Sequence, residues 1–65
     1  MEGTITGFDE ARGLGELDAG GTVYPFHCTA LIDGTRTIEV GARVTFGVRP
    51  GGMGRWEATA IEKVA

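Results

Sequence analysis

Arg43-Val44-Thr45-Phe46-Gly47-Val48-Arg49 is the stretch that decides the fold class. Val44, Phe46 and Val48 alternate with Arg43, Thr45, Gly47 and Arg49, the period of two that marks a strand with one buried face. Pro50-Gly51-Gly52 then breaks the chain, because proline fixes φ and the glycines admit positive φ. A second run follows over residues 55–64, so the C-terminal third is expected to form an antiparallel hairpin.

The same signals continue toward the N-terminus. Thr4-Ile5-Thr6 alternates, and Gly7 inside that run points to a bulge or bend in a short opening strand. Residues 14–18 and 22–26 flank the turn-rich Asp18-Ala19-Gly20-Gly21, a second hairpin signal. No segment carries an apolar stripe at 3.6-residue spacing. The expected fold is therefore all-β, and closing five short antiparallel strands into a small barrel of the oligonucleotide/oligosaccharide-binding (OB) type removes the exposed edges of a flat sheet. Ile5, Leu17, Tyr24, Phe26, Leu31, Val44, Phe46, Val48 and Ile61 are the core candidates. Pro25 lacks a backbone donor, so the third strand is expected to be unpaired or bulged there and locally distorted.

At 65 residues the chain is one domain, residues 1–65, too small for a catalytic cleft between domains. No apolar run approaches the roughly 20 residues that span a bilayer, and nothing near the start resembles a signal peptide, so a cytoplasmic protein with no membrane partner is expected. Cys28 is the single cysteine, which excludes an internal disulfide and fits a reducing compartment. The formal charge of −3 is uneven. Glu2, Asp9, Glu10, Glu16, Asp18 and Asp33 face only Arg12 in residues 1–33, whereas Arg36, Arg43, Arg49, Arg55 and Lys63 outnumber Glu39, Glu57 and Glu62 thereafter. Phosphate binding draws on positive potential, which the chain as a whole does not supply, although a local basic strip can coexist with that balance.

Arg12-Gly13-Leu14-Gly15-Glu16-Leu17 resembles the first ribonucleoprotein motif of the cold-shock domain family, K-G-F-G-F-I. Gly3-Thr4-Ile5-Thr6-Gly7-Phe8 is similar to the family's opening G-x-V-K-W-F, and Phe26-His27-Cys28-Thr29-Ala30-Leu31 to the second motif and its turn, V-H-F-S-A-I. Arg36-Thr37-Ile38-Glu39-Val40-Gly41-Ala42-Arg43-Val44-Thr45-Phe46 is similar to K-T-L-x-E-G-x-x-V-x-F, and residues 54–61 parallel the closing G-P-x-A-x-x-V. These five pieces follow in the family's order and spacing. The resemblance implies a cold-shock domain that binds single-stranded RNA or DNA, with roles in melting RNA secondary structure and in tuning transcription or translation.

In that family, single strands cross a sheet face whose aromatics stack on bases while basic groups attract phosphates. Carried over position by position, the opening tryptophan is Gly7, its phenylalanine neighbour is kept as Phe8, and the preceding lysine is Thr6. The first motif keeps its cation as Arg12 and replaces its two aromatics with Leu14 and Glu16. In the second motif the leading phenylalanine is Pro25, the histidine is kept as His27, and the trailing phenylalanine is Cys28. The loop aromatic corresponds to Thr35. Each base–aromatic stack is worth about 1–3 kcal/mol, so losing three weakens binding by about 3–9 kcal/mol if the losses add. Glu16 also opposes the field of Arg12. Weak or altered binding is the expectation.

The nucleic-acid-binding candidates are Phe8, Arg12, Leu14, His27 and Trp56. Each has a second reading. Arg12 contacts phosphate or pairs with Asp9 or Glu10; His27 stacks a base or packs beside Phe8; Leu14 covers the gap left by lost aromatics or docks a protein. Trp56, outside the family alignment, packs at the barrel end or forms a relocated stacking surface beside Arg55. Gly51-Gly52-Met53-Gly54 lacks the Lys-Ser/Thr pair and following helix of a phosphate loop and is expected to be a hairpin loop. Catalysis is not expected, since there is no serine and His27 has no evident nucleophile–acid partnership. No metal or cofactor is expected either, because His27 and Cys28, adjacent in a strand, point to opposite faces. A monomer is expected. The alternative function is a protein-interaction module on the same barrel that has lost nucleic-acid binding.

Overall fold

A computed structural model describes residues 1–34 and 37–64, with the side chain of Met53 excepted. Thr35, aligned with the family's loop aromatic, and Arg36 lie outside the described residues. The fold is all-β. Five strands, β1 (Glu2–Asp9), β2 (Leu14–Ala19), β3 (Thr22–His27), β4 (Arg43–Pro50) and β5 (Trp56–Lys63), form one antiparallel sheet in the order β3-β2-β1-β4-β5. Two short 3₁₀ turns, Cys28–Ala30 and Gly52–Gly54, follow β3 and β4. No helix among the described residues is long and apolar enough to cross a membrane.

Both expected hairpins form. Ala19 pairs with Thr22 across Gly20-Gly21, whose φ values of 62° and 89° are the paired left-handed conformations of a tight two-residue turn. In the second hairpin Pro50 pairs with Trp56, and the Gly51 N–H donates to the Arg55 carbonyl at 2.6 Å. The opening strand is longer than expected, at eight residues. Its bulge is where Gly7 suggested it: Ile5 opposes Leu17 and Gly7 opposes Glu16, leaving Thr6 as the extra residue.

Pro25 does not distort β3. It sits in unbroken register opposite Glu16 in a strand at the end of the hydrogen-bonded order. The Cys28 N–H donates to the Gly13 carbonyl at 2.7 Å, so even-numbered β3 positions direct their nitrogens at β2 and Pro25 directs its own away. The donor that proline lacks is one the ladder does not use.

Ile5, Leu17, Phe26, Leu31, Val44, Phe46 and Ile61 are buried as expected, and Tyr24 is half-buried against Phe46. Val48 is a correction: it is 36% exposed. Its alternation with Val44 and Phe46 is real, but β1 pairs with β4 only as far as Thr45, so Val48 lies past the end of that ladder. Ile38 and Ala58 join the core instead. On β5 the inward residues Ala58 and Ile61 are three apart because two residues, Ala60 and Ile61, fit between the Thr45–Glu62 and Gly47–Thr59 pairs. Ala60 takes φ 50°, the only positive φ of a non-glycine residue among those described. Beyond the ladders, Leu31 makes a parallel bridge to Ile61, and the Ile32 N–H donates to the Ile61 carbonyl at 3.0 Å. These contacts bring the chain after β3 onto β5.

Candidate nucleic-acid interface

Cross-strand register decides which side chains share a face. Gly7 opposes Glu16 and Glu16 opposes Pro25, which sets these three in one row across β1, β2 and β3 on the side away from the core. Leu14, between Asp9 and His27, belongs to the same outer side and is 46% exposed. Beside this row runs a groove of about 490 Å³ whose lining includes Phe8, Arg12, Leu14, Glu16, Pro25 and Arg55. Arg55 reaches it from the far end of the β4–β5 hairpin, where its backbone is held to Gly51 and Gly52.

Phe8 occupies a different place from the one its motif implies. Strict alternation from inward Ile5 would send Phe8 outward, but the bulge at Thr6 shifts the parity and Phe8 turns inward with its partner Gly15. Its ring stacks on buried Phe26 with centroids 6.1 Å apart and planes 14° from parallel. Only the part of Phe8 left uncovered lines the groove. Gly15 makes this stack possible, because a Cβ there would lie 2.5 Å from Phe26 Cζ and 2.9 Å from Phe8 Cδ1. The space needed by a phenylalanine at position 26 comes from this glycine on the neighbouring strand.

His27 is exposed and does not line the groove. It ends β3 and caps the first 3₁₀ turn: its Nδ1 accepts from the Thr29 N–H at 3.3 Å and lies 3.0 Å from Thr29 Oγ1. That acceptor role assigns the ring proton to Nε2, which faces away from these contacts. Cys28 Sγ comes to 3.8 Å from His27 Nδ1, contrary to the opposite-face expectation, because the strand ends at His27 and Cys28 begins the turn. Among the described residues no three His, Cys, Asp or Glu side chains gather as a metal site would require.

Arg12 pairs with Asp9, one of the two acidic partners expected for it. Asp9 Oδ1 accepts from the Ala11 and Arg12 N–H groups, which fixes the turn, and Asp9 Oδ2 lies 3.7 Å from Arg12 Nε. With the Arg12 side chain 76% exposed, this pair is worth about 0–1 kcal/mol, little enough for a phosphate to displace. Arg43, Arg49 and Lys63 are paired with Glu2, Glu57 and Asp33. Arg55 has no ion pair among the described residues. Trp56, 56% exposed, pairs with Pro50 at the hairpin end and stays outside the groove that its neighbour Arg55 lines.

Phe8, Arg12 and Leu14 thus come together, whereas His27 and Trp56 lie outside the groove. Arg55, which the sequence places as a neighbour of Trp56, joins the groove in its own right. Its place beside the Gly51–Gly54 turn marked it as a loop flank, and only the reach of the hairpin brings it opposite the first motif. Compared with protein-family models and with curated proteins, the chain matches none.

Proposed function

We propose that this chain is a cold-shock-like protein of the OB type that binds single-stranded RNA or DNA, more weakly than a fully aromatic face does. The strand order supports the barrel: if its ends β3 and β5 close, the sheet takes the cyclic order β1-β2-β3-β5-β4, and the parallel Leu31–Ile61 bridge lies along that closure. The observation that carries the function is the convergence of Arg12 and Arg55 on one groove with the uncovered part of Phe8 and with Leu14. Guanidinium groups take phosphate oxygens in paired hydrogen bonds, and the apolar floor accepts base faces. Asp9 and Glu16 line the same groove, so its formal charge is balanced and affinity is modest.

The test is fluorescence anisotropy of a labelled ten-nucleotide strand at two salt concentrations. Two neutralised phosphates on a single strand give a slope of log K against log salt of about −1.4. Flat titrations at low salt refute the reading.

A protein-interaction module is the second reading, favoured by exposed Leu14 beside Glu16, a carboxylate without an ion pair among the described residues. Under it, calorimetry detects an Arg/Lys-rich peptide and no oligonucleotide.

A further inference from the structure

We infer that the groove selects guanine, through Glu16. The inference rests on the reading of this groove as a single-strand site and names the base that it takes.

Glu16 looks misplaced in a phosphate-binding groove, since its charge repels the backbone. Its surroundings fit the edge of a base instead. It lies mid-row on the outer face, between Gly7 and Pro25, and lines the groove with Arg12 and Arg55. No cation pairs with it among the described residues, and the side-chain hydrogen bond that reaches this residue, from Thr6 Oγ1 at 3.4 Å, goes to its backbone carbonyl and not to its carboxylate. The carboxylate oxygens therefore keep their acceptor capacity. Gly7, directly opposite, has no side chain to crowd it: Glu16 Oε1 lies 3.8 Å from where a Cβ at Gly7 would stand, ordinary contact distance, so the carboxylate extends over the glycine. Leu14 and Pro25, also in the groove lining, supply apolar surface for the flat of a base whose edge meets the carboxylate.

An ionised carboxylate only accepts hydrogen bonds. Guanine is the one standard base whose Watson–Crick edge carries two adjacent donors, N1–H and the N2 amino group, spaced to meet both oxygens of one carboxylate. Cytosine and adenine offer one amino group beside a ring-nitrogen acceptor. Uracil and thymine offer a single N3–H between two carbonyl oxygens, both of which the carboxylate repels. Single-stranded bases expose these edges, which paired bases do not. Arg12 and Arg55 take the flanking phosphates, so the repulsion that Glu16 exerts on the backbone becomes discrimination between bases.

The experiment compares ten-residue oligothymidine with decamers carrying two isolated guanines, or two inosines, against the native chain and Glu16→Gln at one low salt concentration. The guanine decamer is expected to bind the native chain about tenfold tighter than oligothymidine. Inosine, which keeps N1–H and lacks the amino group, is expected to fall between them. Glu16→Gln is expected to bind oligothymidine more tightly than the native chain does and to retain less than a twofold guanine preference. Glu16 is exposed, and circular dichroism checks that the variant keeps its fold. Equal affinity of the native chain for all decamers overturns the guanine inference while leaving single-strand binding intact. So does a Glu16→Gln variant that gains equally for every decamer, because Glu16 then acts only as a repulsive charge. Absence of binding to any decamer overturns the single-strand reading and this inference with it.

Discussion

Substituting Gly15→Ala probes the joint between the core and the groove. A Cβ at position 15 would meet Phe26 Cζ at 2.5 Å, Phe26 Cε1 at 2.9 Å and Phe8 Cδ1 at 2.9 Å, all closer than van der Waals contact allows. Phe26 is 2% exposed and cannot swing into solvent without opening the core. Overpacking of this kind costs about 1–3 kcal/mol. Alanine recovers about 0.5–1 kcal/mol through the smaller backbone entropy that it loses on folding. Because Phe26 is held in the core, the upper half of that range, about 2–3 kcal/mol, applies, and the net destabilisation is about 1–2.5 kcal/mol, a large share of the few kcal/mol that a domain of this size has. Urea denaturation followed by circular dichroism reads it as a lower midpoint at unchanged slope. Phe26→Leu in the Gly15→Ala background should recover part of the loss, giving a favourable coupling in a double-mutant cycle. A Gly15→Ala chain as stable as the native one, or additive effects of the two substitutions, refutes the Phe8–Gly15–Phe26 packing.

Three further outcomes follow from the geometry. Ala60→Gly should stabilise the fold by about 0.5–1 kcal/mol, because the left-handed conformation costs an L-residue about 1–2 kcal/mol and glycine's added chain entropy takes back part of the gain; the urea midpoint should rise. Arg55→Ala should weaken single-strand binding and reduce the salt slope by about 0.7, whereas Arg49→Ala, whose guanidinium already pairs with Glu57 at 2.7 Å, should leave the slope unchanged in the same anisotropy titration. Trp56→Ala should change stability by less than about 0.5 kcal/mol in thermal unfolding and leave binding intact, since this side chain is exposed and outside the groove.

Most of the sheet was legible from local chemistry. Alternation in residues 43–49 and the glycine pair at 20–21 each specify a strand or turn through interactions a few residues apart. What stayed hidden depends on non-local register. The bulge at Thr6 was signalled by Gly7, yet its consequence, that Phe8 turns toward Phe26, follows only once β1 is laid against β2. The extra residue on β5 similarly breaks the alternation that would have marked Ala58 as core. Val48 has the right pattern for burial, but how far β1 covers β4 is a property of the assembled sheet. The groove was half legible: its first-motif residues follow one another along the chain, while Arg55 arrives from a hairpin forty residues on and carries no local mark of the role.

The most direct test of the account is a titration of ¹⁵N-labelled protein with a ten-nucleotide single strand, followed by amide chemical shifts. A strand bound in the groove gives saturable shifts concentrated at Gly7, Phe8, Arg12, Leu14, Glu16 and Arg55, with Thr22 and Ala60 unmoved. Shifts confined to residues away from this groove, or none at millimolar strand concentration and low salt, would contradict it.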